Sequence, residues 1–399
     1  MHDVIVLGTG GVGSAALYHL ARRGARVLGL DRFPGGHDRG SSHGDTRIIR
    51  LAYYEHPDYV PLLRRAYALW HELEAVVDER LYEQVGLLEI GPPDGELIPG
   101  VLRSAALHGL DLESLDPDEL HGRFPGFRIP PGHRAVFERQ AGYLRVERCV
   151  LAHLRAAADC GAEHRTGVAV HGWREASDHV VVDTAAGPLA ARRLVITPGA
   201  WAPGLVAGAG ADWPIPFRVF LKHLHWFEPR TRDYLPARAA PTFFYELPWG
   251  LFYGFPQVDA SGVKLANHAG GRLVEDPLTA PRAVDPEELQ LVERFVGEYM
   301  PGMSCARRRH ATCFYTMSPD GHFVIDRHPR SDRVVFAAGL SGHGFKFAAV
   351  LGEILATWTL DGGPSMPVGF LGLTRGGEAR VGTHTPSTGS PGPGPRQSA

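Results

Sequence analysis

The segment Gly40-Ser41-Ser42-His43-Gly44-Asp45-Thr46-Arg47-Ile48-Ile49-Arg50 puts two arginines three residues apart beside a loop of small residues. A planar guanidinium donates two parallel hydrogen bonds to a carboxylate, so such a pair can hold an anion. It can equally be a solvated basic turn with Asp45 as its ion-pair partner. Two glycine-rich turns, Gly8-Thr9-Gly10-Gly11-Val12-Gly13 and Gly339-Leu340-Ser341-Gly342-His343-Gly344, each follow a run of strand-forming residues. A glycine turn between a strand and a helix lets backbone N–H groups approach an anion or a carbonyl oxygen at the positive end of the helix. One such turn near each end of the chain implies one long cofactor bridging them. His223 and His225 alternate along an expected strand, but no third ligand of suitable spacing accompanies them, and no metal site is indicated.

The elements that must position these residues follow from periodicity. Residues 3 to 7 form a buried-strand pattern, and Val12, Ala15, Ala16 and Leu20 share one helical face before Gly24. A second strand, residues 26 to 30, delivers Asp31 about 20 residues beyond the glycines, where an acid can bind a ribose hydroxyl pair. Tyr59 to Val76 has helical spacing, with Leu62, Leu63, Ala66, Leu69, Trp70 and Leu73 as its packing face. From Leu87 to Tyr143 short strands alternate with Pro- and Gly-rich turns. A helix is expected over 146–158, strands over 168–170, 180–182 and 193–196, and a mostly antiparallel sheet over 217–319. The strand 333–338 and the helix 347–359 flank the second glycine turn. From Thr374 the composition falls to Gly, Pro, Ser, Thr and Arg, and a disordered tail is expected over 374–399.

The expected architecture is α/β, α+β overall: a discontinuous Rossmann-like domain (1–80, 147–216, 320–373) and an inserted, mostly antiparallel domain (81–146, 217–319). A net charge of -3, from 41 Lys+Arg against 44 Asp+Glu, provides no general basic field for nucleic acid or anionic lipid. Cys149, Cys160, Cys305 and Cys313 form neither a Cys-x-x-Cys pair nor a dense disulfide framework, which favours a reducing compartment. The first strand begins at Asp3, leaving no room for a signal peptide, and no apolar run reaches the roughly 18 residues of a membrane span. A cytoplasmic protein is expected.

Six motifs, in order, resemble the monomeric sarcosine oxidase and N-methyltryptophan oxidase family of flavoproteins, within the D-amino-acid-oxidase-like superfamily. They are the first glycine turn, the arginine segment, Gly262-Val263-Lys264-Leu265-Ala266-Asn267-His268, Cys313-Phe314-Tyr315-Thr316, residues 318 to 326, and Gly339 to Lys346. The resemblance spans residues 2 to 360. It implies FAD, attached covalently to Cys313 through the flavin 8α-methyl carbon. It further implies Arg50 and Lys346 on the substrate carboxylate, Tyr253, His268 and Tyr315 over the flavin, and Arg47 and Lys264 as cations beside the ring, with Lys264 promoting reaction with oxygen. Gly8, Gly10, Gly13 and Asp31 are expected at the adenine-nucleotide half, and His43, Thr46, Gly342 and Gly344 among the remaining cofactor contacts. Thiolate attack on flavin would draw on positive charge from Arg47, Arg50 or His43.

The implied reaction is oxidation of the C–N bond of a secondary amino acid, such as sarcosine or N-methyl-L-tryptophan, to an imine. Water then releases an aldehyde, and oxygen becomes hydrogen peroxide. Hydride loss requires a neutral amine, and nearby cations favour that form. An L-pipecolate or proline-type oxidase, a dehydrogenase passing electrons to a carrier, and a non-catalytic flavin scaffold are the alternatives. A monomer is expected, with a small amino acid and O2 as its only partners. Ser42 stands where relatives often carry a second histidine, and Asn267 where they carry a larger residue, so substrate fit can differ here.

Overall fold

The computed structural model describes residues 1–208 and 213–375. The apolar run His2–Leu7 forms an interior strand, paired in parallel with Val27–Leu30 on one side and Gly187–Ile196 on the other. Val334–Ala338 extends the parallel set beyond Gly187–Ile196, and Glu163–Arg165 extends it beyond Val27–Leu30. Antiparallel strands at the margins bring this sheet to eight. A helix, Gly11–Arg22, leaves the first glycine turn and is buried along Val12 to Ala21, because Val146–Asp159 and Ala348–Asp361 pack against it. A buried core of aliphatic and aromatic residues unites these helices with Tyr59–Val77, whose buried face is the one its periodicity defines.

The second sheet has nine strands. It is antiparallel throughout except where Thr242–Leu247 runs parallel to Leu87–Gly91. Its longest pairing joins Arg218–Pro229 to Met303–Met317. One face packs on Pro286–Tyr299 and the aromatic cluster around Phe295; the other carries Tyr253, Cys313 and Tyr315 and faces the half built on the parallel strands.

Three helices depart from the strand-and-turn reading. Leu97–His108 accommodates Pro99 within its first turn, and Gly100 in it approaches the Tyr54 backbone, where a Cβ would lie 2.6 Å from the carbonyl oxygen. Pro117–Arg123 starts from a capping box of Asp116 and Glu119, and Pro286–Tyr299 starts from Asp285, whose carboxylate caps Glu287 and Glu288. At the end of the described residues, Arg375 is anchored by Asp320 (2.8 Å). The rest of the expected tail, 376–399, lies outside the described residues. No described helix is long and apolar enough to cross a membrane.

Candidate functional site

Both glycine turns line one cavity of about 520 Å3. Gly8 and Gly13 make the first turn possible: a Cβ on Gly13 would sit 1.8 Å from Gly8 O, and Gly8 has φ +87°. The Phe345 ring of the second turn lies against Gly11 of the first, so the two ends of the chain meet here. Asp31, at the end of its strand, accepts from Thr9 N at 2.8 Å and lines the same cavity. Ser42 Oγ accepts from Gly11 N at 3.2 Å, which gives this residue a place at the first turn.

Gly8, Gly10, Asp31, Arg47, Gly342 and Gly344 line the cavity, as does Tyr315, against whose ring a Cβ on Gly342 would collide. Gly13, His43 and Thr46 do not line it. The donor set suits a dinucleotide: a helix N-terminus, an acid one strand away and a glycine cradle that a Cβ would obstruct.

Beyond the cavity the sheet face rises. Cys313 is buried, two residues before Tyr315 and on the same face, with Arg47 and Lys264 as its neighbouring cations. Arg47 donates to Thr46 O (2.9 Å) and Ser41 O (2.8 Å). Of the expected sources of positive charge for Cys313, two are corrected. Burial, with Arg47 nearby, lowers the His43 pKa to about 3, so its ring is neutral; Arg50 is held by the Glu55 carboxylate and the Glu89 carboxyl. Arg47 remains.

Lys264 Nζ donates to Gly44 O (2.5 Å), Thr46 O (2.8 Å) and Thr46 Oγ1 (3.3 Å) and stands 4.7 Å from the Phe255 ring. Burial and then Arg47 pull its pKa well below the ordinary lysine value. Tyr253 and Tyr315 are adjacent phenols, and burial pushes Tyr253 up to about 12. His268 Nδ1 lies 3.1 Å from Tyr315 Oη, and the Tyr253 ring stands 6.0 Å from the imidazole. Desolvation, then Lys222, His343, Lys346 and Arg50, keep His268 neutral.

Arg50 and Lys346 both approach one aromatic ring: Arg50 Cζ is 4.8 Å and Lys346 Nζ 5.1 Å from the centroid of Tyr53. Lys346 donates to His343 O (2.8 Å), and burial followed by Arg50 lowers its pKa to about 7. Arg50 donates from Nη2 to both oxygens of Glu55 (2.9 and 2.8 Å) and from Nη1 to Glu89 (2.7 Å). Burial opposes its charge, but Glu55 and Glu89 outweigh that and raise its pKa. The sequence reading missed Tyr53, Glu55, Glu89 and Lys222. Lys222, buried, donates to Ala269 O and Gly270 O, holding the loop after His268. Asn267 Oδ1 accepts from Leu251 N and Ala269 N, a local structural task. No cluster of metal-ligating side chains exists among the described residues.

A family model described as FAD dependent oxidoreductase matches residues 3–358. The chain is 41% identical over 376 residues to a monomeric sarcosine oxidase of Streptomyces avermitilis, covering 93% of this chain and 96% of that one. It is 37% identical over 380 residues to an N-methyl-L-tryptophan oxidase of Yersinia pestis, covering 94% and 99%. Among solved structures, an unusual amino acid oxidase essential for nikkomycin biosynthesis superposes with a TM-score of 0.82 at 24% identity, covering 93% of this chain and 97% of that one, a likeness of fold.

Proposed function

This chain belongs to the FAD-dependent oxidoreductase family, and from that premise we propose that it oxidises the C–N bond of an N-methyl amino acid such as sarcosine or N-methyl-L-tryptophan. The products are an imine, hydrolysed to an aldehyde and the amino acid, and hydrogen peroxide. The observation that carries this reading is the arginine and lysine gathered at the Tyr53 ring, close to the neutral His268 and its Tyr315 partner. The first pair suits a carboxylate, and the second suits an uncharged amine.

FAD, when bound along the two glycine turns, supplies the hydride acceptor and the electrons for oxygen. The side chains do the rest. Arg50 and Lys346 hold the carboxylate and so fix the N-methyl carbon in one orientation. Arg47 and Lys222 keep the surroundings electropositive, which disfavours an ammonium and lowers the pKa of a bound amine. His268 is too weak a base to keep that proton, so it leaves for solvent, while the ring can accept a hydrogen bond from the remaining N–H. Lys264 stabilises negative charge that develops when oxygen is reduced.

Cys313, beside Arg47 and Lys264, is the proposed point of covalent FAD attachment. A monomer in the cytoplasm fits the word monomeric in the names of several relatives and the four free cysteines. A peroxide screen with sarcosine, N-methyl-L-tryptophan, L-pipecolate and L-proline tests the substrate class. Turnover confined to the cyclic pair would replace the N-methyl assignment.

A further inference from the structure

Glu89 lies in the strand Leu87–Gly91, among Leu87, Leu88 and Ile90. Register sets it opposite Phe244, Phe244 opposite Tyr253, and Tyr253 opposite Ala266, a single row across one sheet face. That row contains a substrate-site tyrosine, and the Phe244 ring stands 5.8 Å from His268. The row thus carries a fully buried acid, at 0% exposure, two strands from that tyrosine.

The hydrogen bonds of Arg50 show what this acid does. Glu89 Oε1 takes Nη1, Glu55 takes Nη2, and Arg50 Nε is buried without a partner, as is Glu89 Oε2. A carboxylate binds an arginine edge through two parallel N–H groups. The edge made by Nε and Nη2 is half free already, and its other half is held by Glu55, whose side chain is 13% exposed and belongs to a loop. Glu89 is fixed in a strand and has no comparable exit.

We propose that Glu89 is a positioning residue for carboxylate recognition: it retains the Nη1 arm of Arg50 while an incoming carboxylate takes the Nε and Nη2 edge from Glu55. The inference rests on the amino-acid-substrate reading above. Glu138 supports it from the neighbouring strand, accepting from Leu51 N (2.7 Å) and Ala52 N (2.9 Å), so the same sheet face grips the arginine segment at backbone and side chain. The guanidinium is further bracketed by the rings of Tyr53, Tyr54 and Phe244. The charged and titratable groups facing Glu89 are Arg50, Glu55, Glu138, Tyr54 and Lys346. Burial dominates among these influences and pushes the Glu89 carboxyl up to about 8, so at neutral pH glutamine is its close mimic.

The test titrates the FAD-loaded protein with acetate, followed by flavin absorbance, and measures KM and kcat with sarcosine. Glu89→Leu should weaken acetate binding and raise KM at least about tenfold while kcat falls less than about threefold, since a buried Nη1 without an acceptor no longer holds the fork in place. Glu89→Gln should recover most of the lost affinity at pH 7 and remove the part of the alkaline loss above about pH 8 that Glu89 causes. Acetate binding by Glu89→Leu within threefold of wild type would overturn the inference, as would a Glu89→Gln variant as weak as the leucine one. Where the leucine variant does not fold, Glu89→Ala takes its place with the same two refuting outcomes. Arg50→Met separates the two levels. If that variant also binds acetate normally, the carboxylate reading itself falls; if it binds weakly while Glu89→Leu binds well, only the role of Glu89 falls.

Discussion

Replacing Lys346 with methionine should change how carboxylate binding depends on pH. The buried amine has a pKa near 7, and a carboxylate prefers its ammonium form. As pH rises through 7 the ammonium fraction falls, so binding must draw a proton from solvent and the apparent Kd rises. With one group of that pKa, Kd should increase roughly 90-fold between pH 6 and 9. A carboxylate at about 4 Å in an effective dielectric of about 20 contributes about 4 kcal/mol, enough to hold the bound lysine charged throughout that range. Lys346→Met removes this dependence, and at pH 6 it also loses one charge-assisted hydrogen bond, roughly 10- to 150-fold in affinity. Acetate titrations of both proteins from pH 6 to 9, read as the ratio of their Kd values, isolate Lys346 from other titrating groups. The ratio should shrink by about two orders of magnitude toward high pH. A ratio that stays constant, or a variant that binds as tightly as wild type at pH 6, would show that Lys346 does not meet the carboxylate as an ammonium.

Cys313→Ala should leave flavin that acid precipitation releases into the supernatant; acid-stable yellow colour in the pelleted variant would show that attachment lies elsewhere. Lys264→Met should slow reoxidation of the reduced protein by about 100- to 1000-fold in stopped-flow traces while substrate reduction stays within about fivefold. Equal slowing of both half-reactions would mean that the lysine merely supports the Gly44 and Thr46 carbonyls. Gly13→Ala should yield protein that purifies with little FAD and unfolds at lower temperature, because the added methyl meets Gly8 O; full flavin content would contradict that packing.

The nucleotide-binding half is legible in sequence because its signals are local: apolar strand runs, a glycine turn and an acid at fixed spacing. Leu97–His108 was hidden by Pro99 and Gly100, which read as turn residues, although proline within the first helical turn gives up little hydrogen bonding. Pro286–Tyr299 carried an Asp-Pro-Glu-Glu start signal that the surrounding β-rich composition masked. The proposed carboxylate site was legible only through family resemblance, since its contacts are long-range: Lys346 meets Tyr53 across 293 residues and Arg50 meets Glu89 across 39. Glu89 did leave a mark, a lone acid within an apolar strand. Its partner could not be inferred without the sheet register. His43 was misjudged as a cation because a histidine's charge depends on burial, which the loop composition does not reveal.

In the proposed reaction this protein reduces its flavin with an N-methyl amino acid and returns the electrons to oxygen. Mixing the yellow protein anaerobically with sarcosine, and separately with N-methyl-L-tryptophan, tests it most directly. At least one of them should bleach the flavin, and admitting air should restore the colour with peroxide and formaldehyde formed in equal amounts. A flavin that keeps its colour with both, or that is bleached and then yields no peroxide in air, would contradict it.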